Sequence, residues 1–340
     1  MSAPHRILFR ADADPAVGTG DLASLAGLAA SFDPVRYESH FMVRDHAFAQ
    51  DLAAAKGLSR VLWLDPALDL AGEAAAVNAA VDELGLAALV FEITRVPLDS
   101  FPAFTDRAVR ACVCFDARVP RDFDVVVNWD VTGPRAFAGL DFPRAELLLG
   151  PGYVLLPPHF DLERAARVQR AKPRRRILVA MGGADEHDLT ARACAALAGL
   201  GQDLELAVVL GPGYRAEEGL RAQLAASGLP HRVERNVPDM FARYLDCDFA
   251  VGTGGLTVSE LAATRTPAAV VAAYAHQVER CEYFAAMGAV RYLGFGAVDP
   301  AALAAALDGE YTLAPAGFFR PSAVREAVER AIARRNAWNS

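Results

Sequence analysis

A chain of 340 residues, 53% of them hydrophobic, exceeds one comfortable core, and 42 acidic against 34 basic residues leave a net charge of −8. Two domains of ordinary size are expected, and the acidic balance excludes a general attraction to nucleic acid. No stretch is long and apolar enough for a transmembrane helix; residues 1–6 lead into an apolar run without a signal core, so a cytoplasmic protein is expected.

The first run, 7–10, reads as a strand and opens directly onto Arg10-Ala-Asp12, Asp14 and the turn Gly18-Thr-Gly20-Asp21. A helical pattern follows at 22–30. A glycine turn between a first strand and a first helix is where an open α/β sheet presents groups to a ligand. Asp21 is the first polar side chain at that helix entrance. Its simplest role is a helix cap, and its alternative is a base facing the strand ends. Further strands are expected at 40–43, 61–64, 88–92, 111–115 and 125–128, with crossover helices at 70–84 and 100–110. Glu92, followed by Thr94 and Arg95, ends the fourth of these strands and supplies a second acid near the first. Cys112 and Cys114 alternate along a strand and, with Cys194, Cys247 and Cys281, read as free thiols.

Pro157-Pro158, the basic run Lys172-Pro-Arg174-Arg175-Arg176 and Pro173 punctuate a boundary at about 155–175. That run reads as a solvated linker, with a weak peripheral contact to an anionic membrane surface as the alternative. A second series follows: strands at 177–181, 205–210, 232–235, 249–251, 268–272 and 290–293, and helices at 190–199, 216–227, 238–244, 257–263, 277–287 and 300–307. A final amphipathic helix is expected over 322–335. Alternation of this kind means mainly parallel sheets, here in two Rossmann-like domains facing each other across a cleft.

Three glycine or polar loops punctuate the second series. Gly252-Thr-Gly254-Gly255, with Thr257 and Glu260 in the next helix, suits a diphosphate at helix amides and a ribose at a carboxylate. Met181-Gly182-Gly183-Ala-Asp185 is a second strand-end loop. Asn236-Val-Pro-Asp239 joins strand to helix, with Asp239 read as a cap, and His276-Gln277 opens another helix with side chains suited to sugar hydroxyls or phosphate. Neither glycine loop spells the full dinucleotide fingerprint, and no phosphate-loop motif of nucleoside triphosphatases is present. The histidines show no metal-ligand spacing and complete no Ser-His-Asp triad.

In their order and spacing, Arg10-Ala-Asp12…Gly18-Thr-Gly20, Leu149-Gly-Pro-Gly-Tyr-Val-Leu-Leu156, Met181-Gly-Gly-Ala-Asp185, Asn236-Val-Pro-Asp-Met240, Gly254-Gly255…Glu260 and His276-Gln277 resemble the UDP-sugar hydrolases of pseudaminic acid biosynthesis. Related glycosyltransferase-like proteins of spore-coat and surface polysaccharide synthesis share the pattern. The resemblance implies a GT-B architecture, with an acceptor and catalytic domain at 1–160, a nucleotide-sugar domain at 161–320, and a helix at 321–340 crossing back to the first. Gly182, Gly183, Asn236, Gly254, Gly255, Thr257 and Glu260 would then hold nucleotide, UDP favoured. Arg10, Asp12, Gly18, Gly20, Thr94, His276 and Gln277 would line the substrate, with no metal or other cofactor. The hydrolases carry Gly-x-Gly-His where this chain has Asp21, Asp-His-Tyr where it has Glu92-Ile-Thr94, and often Asn-Gln where it has His276-Gln277. With base and helper changed together, the expected activity is an inverting, metal-independent glycosyl transfer with Asp21 as base and Glu92 second. The acceptor, whether a sugar, a lipid-linked glycan or a protein, stays open. Hydrolysis of the UDP-sugar and a catalytically silent binding homologue are the alternatives.

Overall fold

The computed structural model describes residues 3–183, 185–201 and 203–339. It divides into two units, Met1–Pro158 with Phe319–Ser340, and His159–Phe318. The first unit runs β1 (His5–Ala11), α1 (Gly20–Ala30), β2 (Tyr37–Arg44), α2 (Ala47–Ala55), β3 (Val61–Leu64), α3 (Leu70–Leu84), β4 (Leu86–Glu92), β5 (Val109–Val113), β6 (Val125–Asn128), α4 (Gly133–Ala136) and β7 (Glu146–Leu149). The second runs α5 (Leu162–Ala166), β8 (Arg176–Ala180), α6 (Leu189–Gly199), β9 (Glu205–Leu210), α7 (Glu217–Ser227), β10 (His231–Arg235), α8 (Met240–Asp246), β11 (Phe249–Thr253), α9 (Leu256–Ala263), β12 (Ala268–Ala272), α10 (Val278–Ala286), β13 (Arg291–Phe295) and α11 (Pro300–Asp308). Helix α12 (Ala323–Asn339) belongs to the first unit, where Arg330 pairs with Glu146 of β7 at 2.6 Å.

Both sheets are wholly parallel, ordered β3-β2-β1-β4-β5-β6-β7 and β10-β9-β8-β11-β12-β13. Parallel strands with helices on their faces are buried on both sides, which is why β1, β4, β8 and β12 read as continuous apolar runs. Each order reverses once, between β1 and β4 and between β8 and β11. At such a switch point neighbouring crossovers leave in opposite directions and open a crevice at the strands' carboxyl ends. The Gly18–Asp21 turn and Glu92 stand at the first, and Gly182-Gly183 and Gly252–Gly255 at the second.

Three expectations are corrected. Residues 100–110 form no α-helix: a 3-10 turn at Leu98–Ser100 gives way to extended chain. Pro102 interrupts any helical ladder there, and Phe101 and Phe104 plug the core, Phe104 packing on Phe91 at 4.5 Å. Helix α2 and strand β7 were not anticipated. In the basic run Lys172, Arg175 and Arg176 are exposed, as a solvated linker requires, and only Arg174 departs from that reading. Arg174 is 6% exposed, donates to the Leu307 and Gly309 carbonyls and lies 5.1 Å from the Tyr311 ring centroid. At the surface Lys172 pairs with Glu310, Arg175 with Asp203 and Arg176 with Asp248.

Candidate functional site

In the first unit, β1 delivers Arg10 and Asp12 to the switch point, each 1% exposed. A charge there survives burial only with partners. Arg10 lies 2.8 Å from Asp12 and 2.6 Å from Glu73 of α3, while Arg95 reaches Asp12 at 2.7 Å and also binds Glu73. Arg44 stands 3.6 Å from Glu73. Burial pushes the Asp12 carboxyl up, but Arg10 and Arg95 together outweigh it and hold the group below its usual range. Arg10 and Asp12 are thus committed to an internal lattice of charge beneath the loop, and Glu73, unmarked in sequence, is its centre.

Asp21 lies in the first turn of α1 and is 4% exposed, yet the helix has no side-chain cap. Its carboxylate turns instead to the end of β4. It accepts from the Thr94 amide at 2.9 Å and from the Thr94 hydroxyl at 2.9 Å. The capping role therefore does not hold, and Gly18, with φ +84°, supplies the left-handed turn that lets the chain enter the helix this way. Gly20 is exposed as the first residue of that helix. Burial lifts the Asp21 pKa to about 6; the two Thr94 hydrogen bonds restrain the rise, and the negative Asp12 adds to it. Glu92 is 2% exposed, and burial followed by the charge of Asp21 pushes its carboxyl well above the ordinary value. A carboxyl that keeps its proton is a poor base, so Asp21 is the group suited to receive one near neutrality.

In the second unit, Gly182 (φ +87°) and Gly183 follow β8, and Thr253 ends β11 with Gly254 and Gly255 after it. Thr253 lies between the loops, its hydroxyl 3.8 Å from where a side chain on Gly182 would begin and 4.0 Å from the same point on Gly255. The two helix entrances differ. Asp185 accepts from the Leu189 and Thr190 amides at 2.8 Å each and so closes the start of α6. Helix α9 begins at Gly255 with no side-chain cap, leaving its first amides to meet an anion. Arg280 of α10, 5% exposed, donates to the Gly254 carbonyl at 3.1 Å and fixes the turn.

Glu260, 9% exposed, accepts from the Tyr244 hydroxyl at 2.6 Å. Thr257 packs its methyl against Gly252. Gln277 is 7% exposed and accepts from the Ala273 amide at 2.9 Å, with its side-chain nitrogen near Gly255. His276 is exposed and stacks on Tyr274, the rings 5.8 Å apart and within 3° of parallel. Asn236, at φ +52°, ends β10 with its amide on the Leu210 carbonyl, and Asp239 caps α8 through the Ala242 amide. The strand-end set thus gathers Gly182, Gly183, Gly254, Gly255 and Gln277. Sequence reasoning passed over Thr253, Arg280 and Gly211, the last set against the Gly182-Gly183 carbonyls. Among the described residues, no group of three or more His, Cys, Asp or Glu is arranged to hold a metal ion, and no helix is long and apolar enough to cross a membrane.

No protein-family model matches the chain. It is 29% identical over 153 residues to the spore coat polysaccharide biosynthesis protein SpsG of Bacillus subtilis, covering 44% of each. It is 37% identical over 134 residues to the UDP-N-acetylglucosamine–N-acetylmuramyl-(pentapeptide) pyrophosphoryl-undecaprenol N-acetylglucosamine transferase of Thiobacillus denitrificans, covering 37% of this chain and 35% of that one. The chain spans less than half the length of the curated relatives it matches. Among solved structures, MurG of Acinetobacter baumannii superposes with a TM-score of 0.64 at 15% identity, over 96% of this chain and 99% of that one. A UDP-GlcNAc 2-epimerase from Methanocaldococcus jannaschii gives 0.61 at 11% identity, over 98% and 99%. The fold is GT-B, two Rossmann-like domains each built on a parallel sheet.

Proposed function

We propose that this chain is a nucleotide-sugar glycosyltransferase that moves a sugar from a UDP donor to an acceptor hydroxyl by a single inverting displacement, without a metal ion. The observation that carries the reading is Asp21, a buried carboxylate held by Thr94 at the switch point, with its pKa lifted to about 6. Asp21 takes the proton of the acceptor hydroxyl as that oxygen bonds to the anomeric carbon. The bond from that carbon to the diphosphate breaks, and UDP leaves with the electron pair. The open start of α9 and the Gly254-Gly255 turn meet the diphosphate charge. Glu260 takes the ribose, while Gln277 and His276 address the sugar.

The UDP preference draws on the activities that name two of the similar proteins: N-acetylglucosamine transfer from UDP-N-acetylglucosamine and UDP-GlcNAc 2-epimerisation. The match to SpsG supports a place in surface polysaccharide synthesis.

Following the anomeric proton by NMR tests the displacement: the product is expected with the anomeric configuration opposite to the donor's, and retention would rule out Asp21 as base in a single step. The pH dependence has a fixed sign. Asp21 is active when ionised, so kcat/KM is expected to fall tenfold per pH unit below about 6; a profile flat down to pH 4 removes Asp21 from the mechanism. The nucleotide half has its own test. A methyl group on Gly254 would collide with the Cys281 sulfur and come within 2.9 Å of Gln277 Cβ and 3.0 Å of its carbonyl, whereas one on Gly255 meets nothing nearer than 3.7 Å. Calorimetry should find UDP binding weakened by roughly tenfold or more in Gly254→Ala, and by less than about threefold in Gly219→Ala on α7, where an added methyl meets nothing within 4 Å.

A further inference from the structure

The first unit contains its own control for how a buried carboxylate is paired. Glu73, 1% exposed, is surrounded by Arg10, Arg95 and Arg44, and Asp12, equally buried, by Arg10 and Arg95. Glu92 is 2% exposed and has no such cation: its Oε2 finds no hydrogen bond, and the polar groups acting on the carboxyl are Ser24 on α1, whose hydrogen bond favours the ionised form, Asp21 on α1 and the Cys114 thiol just past β5. Two of those three can only add negative charge. An unpaired carboxylate in such a place is expelled or keeps its proton, and Glu92 is held in place as the last residue of β4, paired in register with Ala11 on one side and Val113 on the other.

We propose that Glu92 works as a neutral carboxylic acid beneath the first turn of α1, a positioning residue that seats Asp21 against Thr94 without placing a second negative charge beside it. This rests on the reading of Asp21 as the base. The two acids then divide the pH range. Asp21, faced by Thr94, Asp12 and Arg10, must be ionised and sets the acid limb; Glu92, faced by Asp21, Ser24 and Cys114, must be protonated and sets the alkaline one. Above that second limb a Glu92 carboxylate repels Asp21 and unseats it. Glutamine has nearly the same shape, carries no charge and cannot ionise, so it reproduces the working form of Glu92 at every pH.

The test pairs kinetics with a spectroscopic readout that needs no turnover. Infrared difference spectra of the full chain in deuterated buffer are expected to show a neutral carboxylic acid carbonyl band at pH 7.5. It should persist in Asp21→Asn, vanish in Glu92→Gln and titrate away only at more alkaline pH. In kcat/KM profiles for a UDP-sugar, Glu92→Ala should lose roughly tenfold or more, and Glu92→Gln should recover most of that loss with the alkaline limb gone. Absence of the band from a folded wild type, or its survival in Glu92→Gln, would overturn the proposal. So would a Glu92→Gln profile that keeps the alkaline limb. A wild type that shows the band but turns over no UDP-sugar leaves Glu92 neutral and overturns only the transfer reading.

Discussion

Replacement of Asp21 by asparagine is expected to cut turnover by roughly 10²–10⁴-fold, the span over which positioned bases contribute, while UDP affinity stays within about twofold. The nucleotide-binding residues proposed here belong to the other unit, so removing the base spares the donor. The same substitution is expected to stabilise the protein. In the folded chain Asp21 has a pKa of about 6 against an ordinary 3.8, so the native state binds that proton more tightly than the unfolded one. The sign follows. Below 3.8 both states are protonated and the group is neutral in the balance; above about 6 the native state carries a buried charge that the unfolded chain carries in water. The shift corresponds to at most about 3 kcal/mol of lost stability at neutral pH. Asparagine removes the charge and still accepts from the Thr94 amide. Thermal melts at pH 8 should therefore show Asp21→Asn above the wild type, with the difference closing as pH falls towards 4. A less stable variant would make Asp21 structural, and a fully active one would remove it from the mechanism.

Gly211→Ala is expected to damage the nucleotide half from a position outside its glycine loops. Gly211 follows β9, and a methyl group there would overlap the carbonyl oxygens of Gly182 and Gly183 and lie 2.6 Å from the Gly183 carbonyl carbon. These are backbone atoms, with no rotamer to yield, and the Gly183 carbonyl is already tied to the Gly213 amide at 2.8 Å. Overpacking of this kind costs about 1–3 kcal/mol, and relief requires moving the loop itself. Calorimetry should show UDP binding weakened by roughly thirtyfold or more, together with a lower melting temperature. Gly199→Ala, at the far end of α6, is the matched control, because nothing lies within 4 Å of its would-be side chain. Equal affinities for the two variants would detach the β8 loop from nucleotide binding.

What the sequence disclosed follows from the reach of each interaction. Strands buried on both faces announce themselves as apolar runs, so 125–128, 205–210 and 268–272 coincide with β6, β9 and β12, and the apolar run 61–64 coincides with the edge strand β3 although Leu62 and Trp63 are exposed. Helix α2 escaped notice because it is capped by the ring of His46, outside the usual capping residues, whose Nδ1 accepts from the Phe48 amide. The expected helix over 100–110 followed a spacing of apolar residues that in the folded chain are anchors of extended chain, Phe101 and Phe104. Glycine loops and strand-end acids are local in the chain, and Asp21, Glu92, Gly182 and Gly254 were visible as candidates. Partners are not local. Glu73 meets Arg10 from 63 residues away, and Asp21 meets Thr94 from 73. Only the fold reveals that Arg10 and Asp12 are used up by pairing, that Glu92 lacks a cation, and that Gly211 makes room for a loop read as independent of it.

The most direct measurement is UDP release from UDP-activated sugars, run with and without a panel of sugar and lipid-linked acceptors, for the wild type and Asp21→Asn. Release that depends on an acceptor and disappears with Asp21 is the predicted result. Equally fast release in water alone would make the protein a UDP-sugar hydrolase, and UDP binding without release under any condition would make it a silent homologue; either outcome contradicts the transferase account.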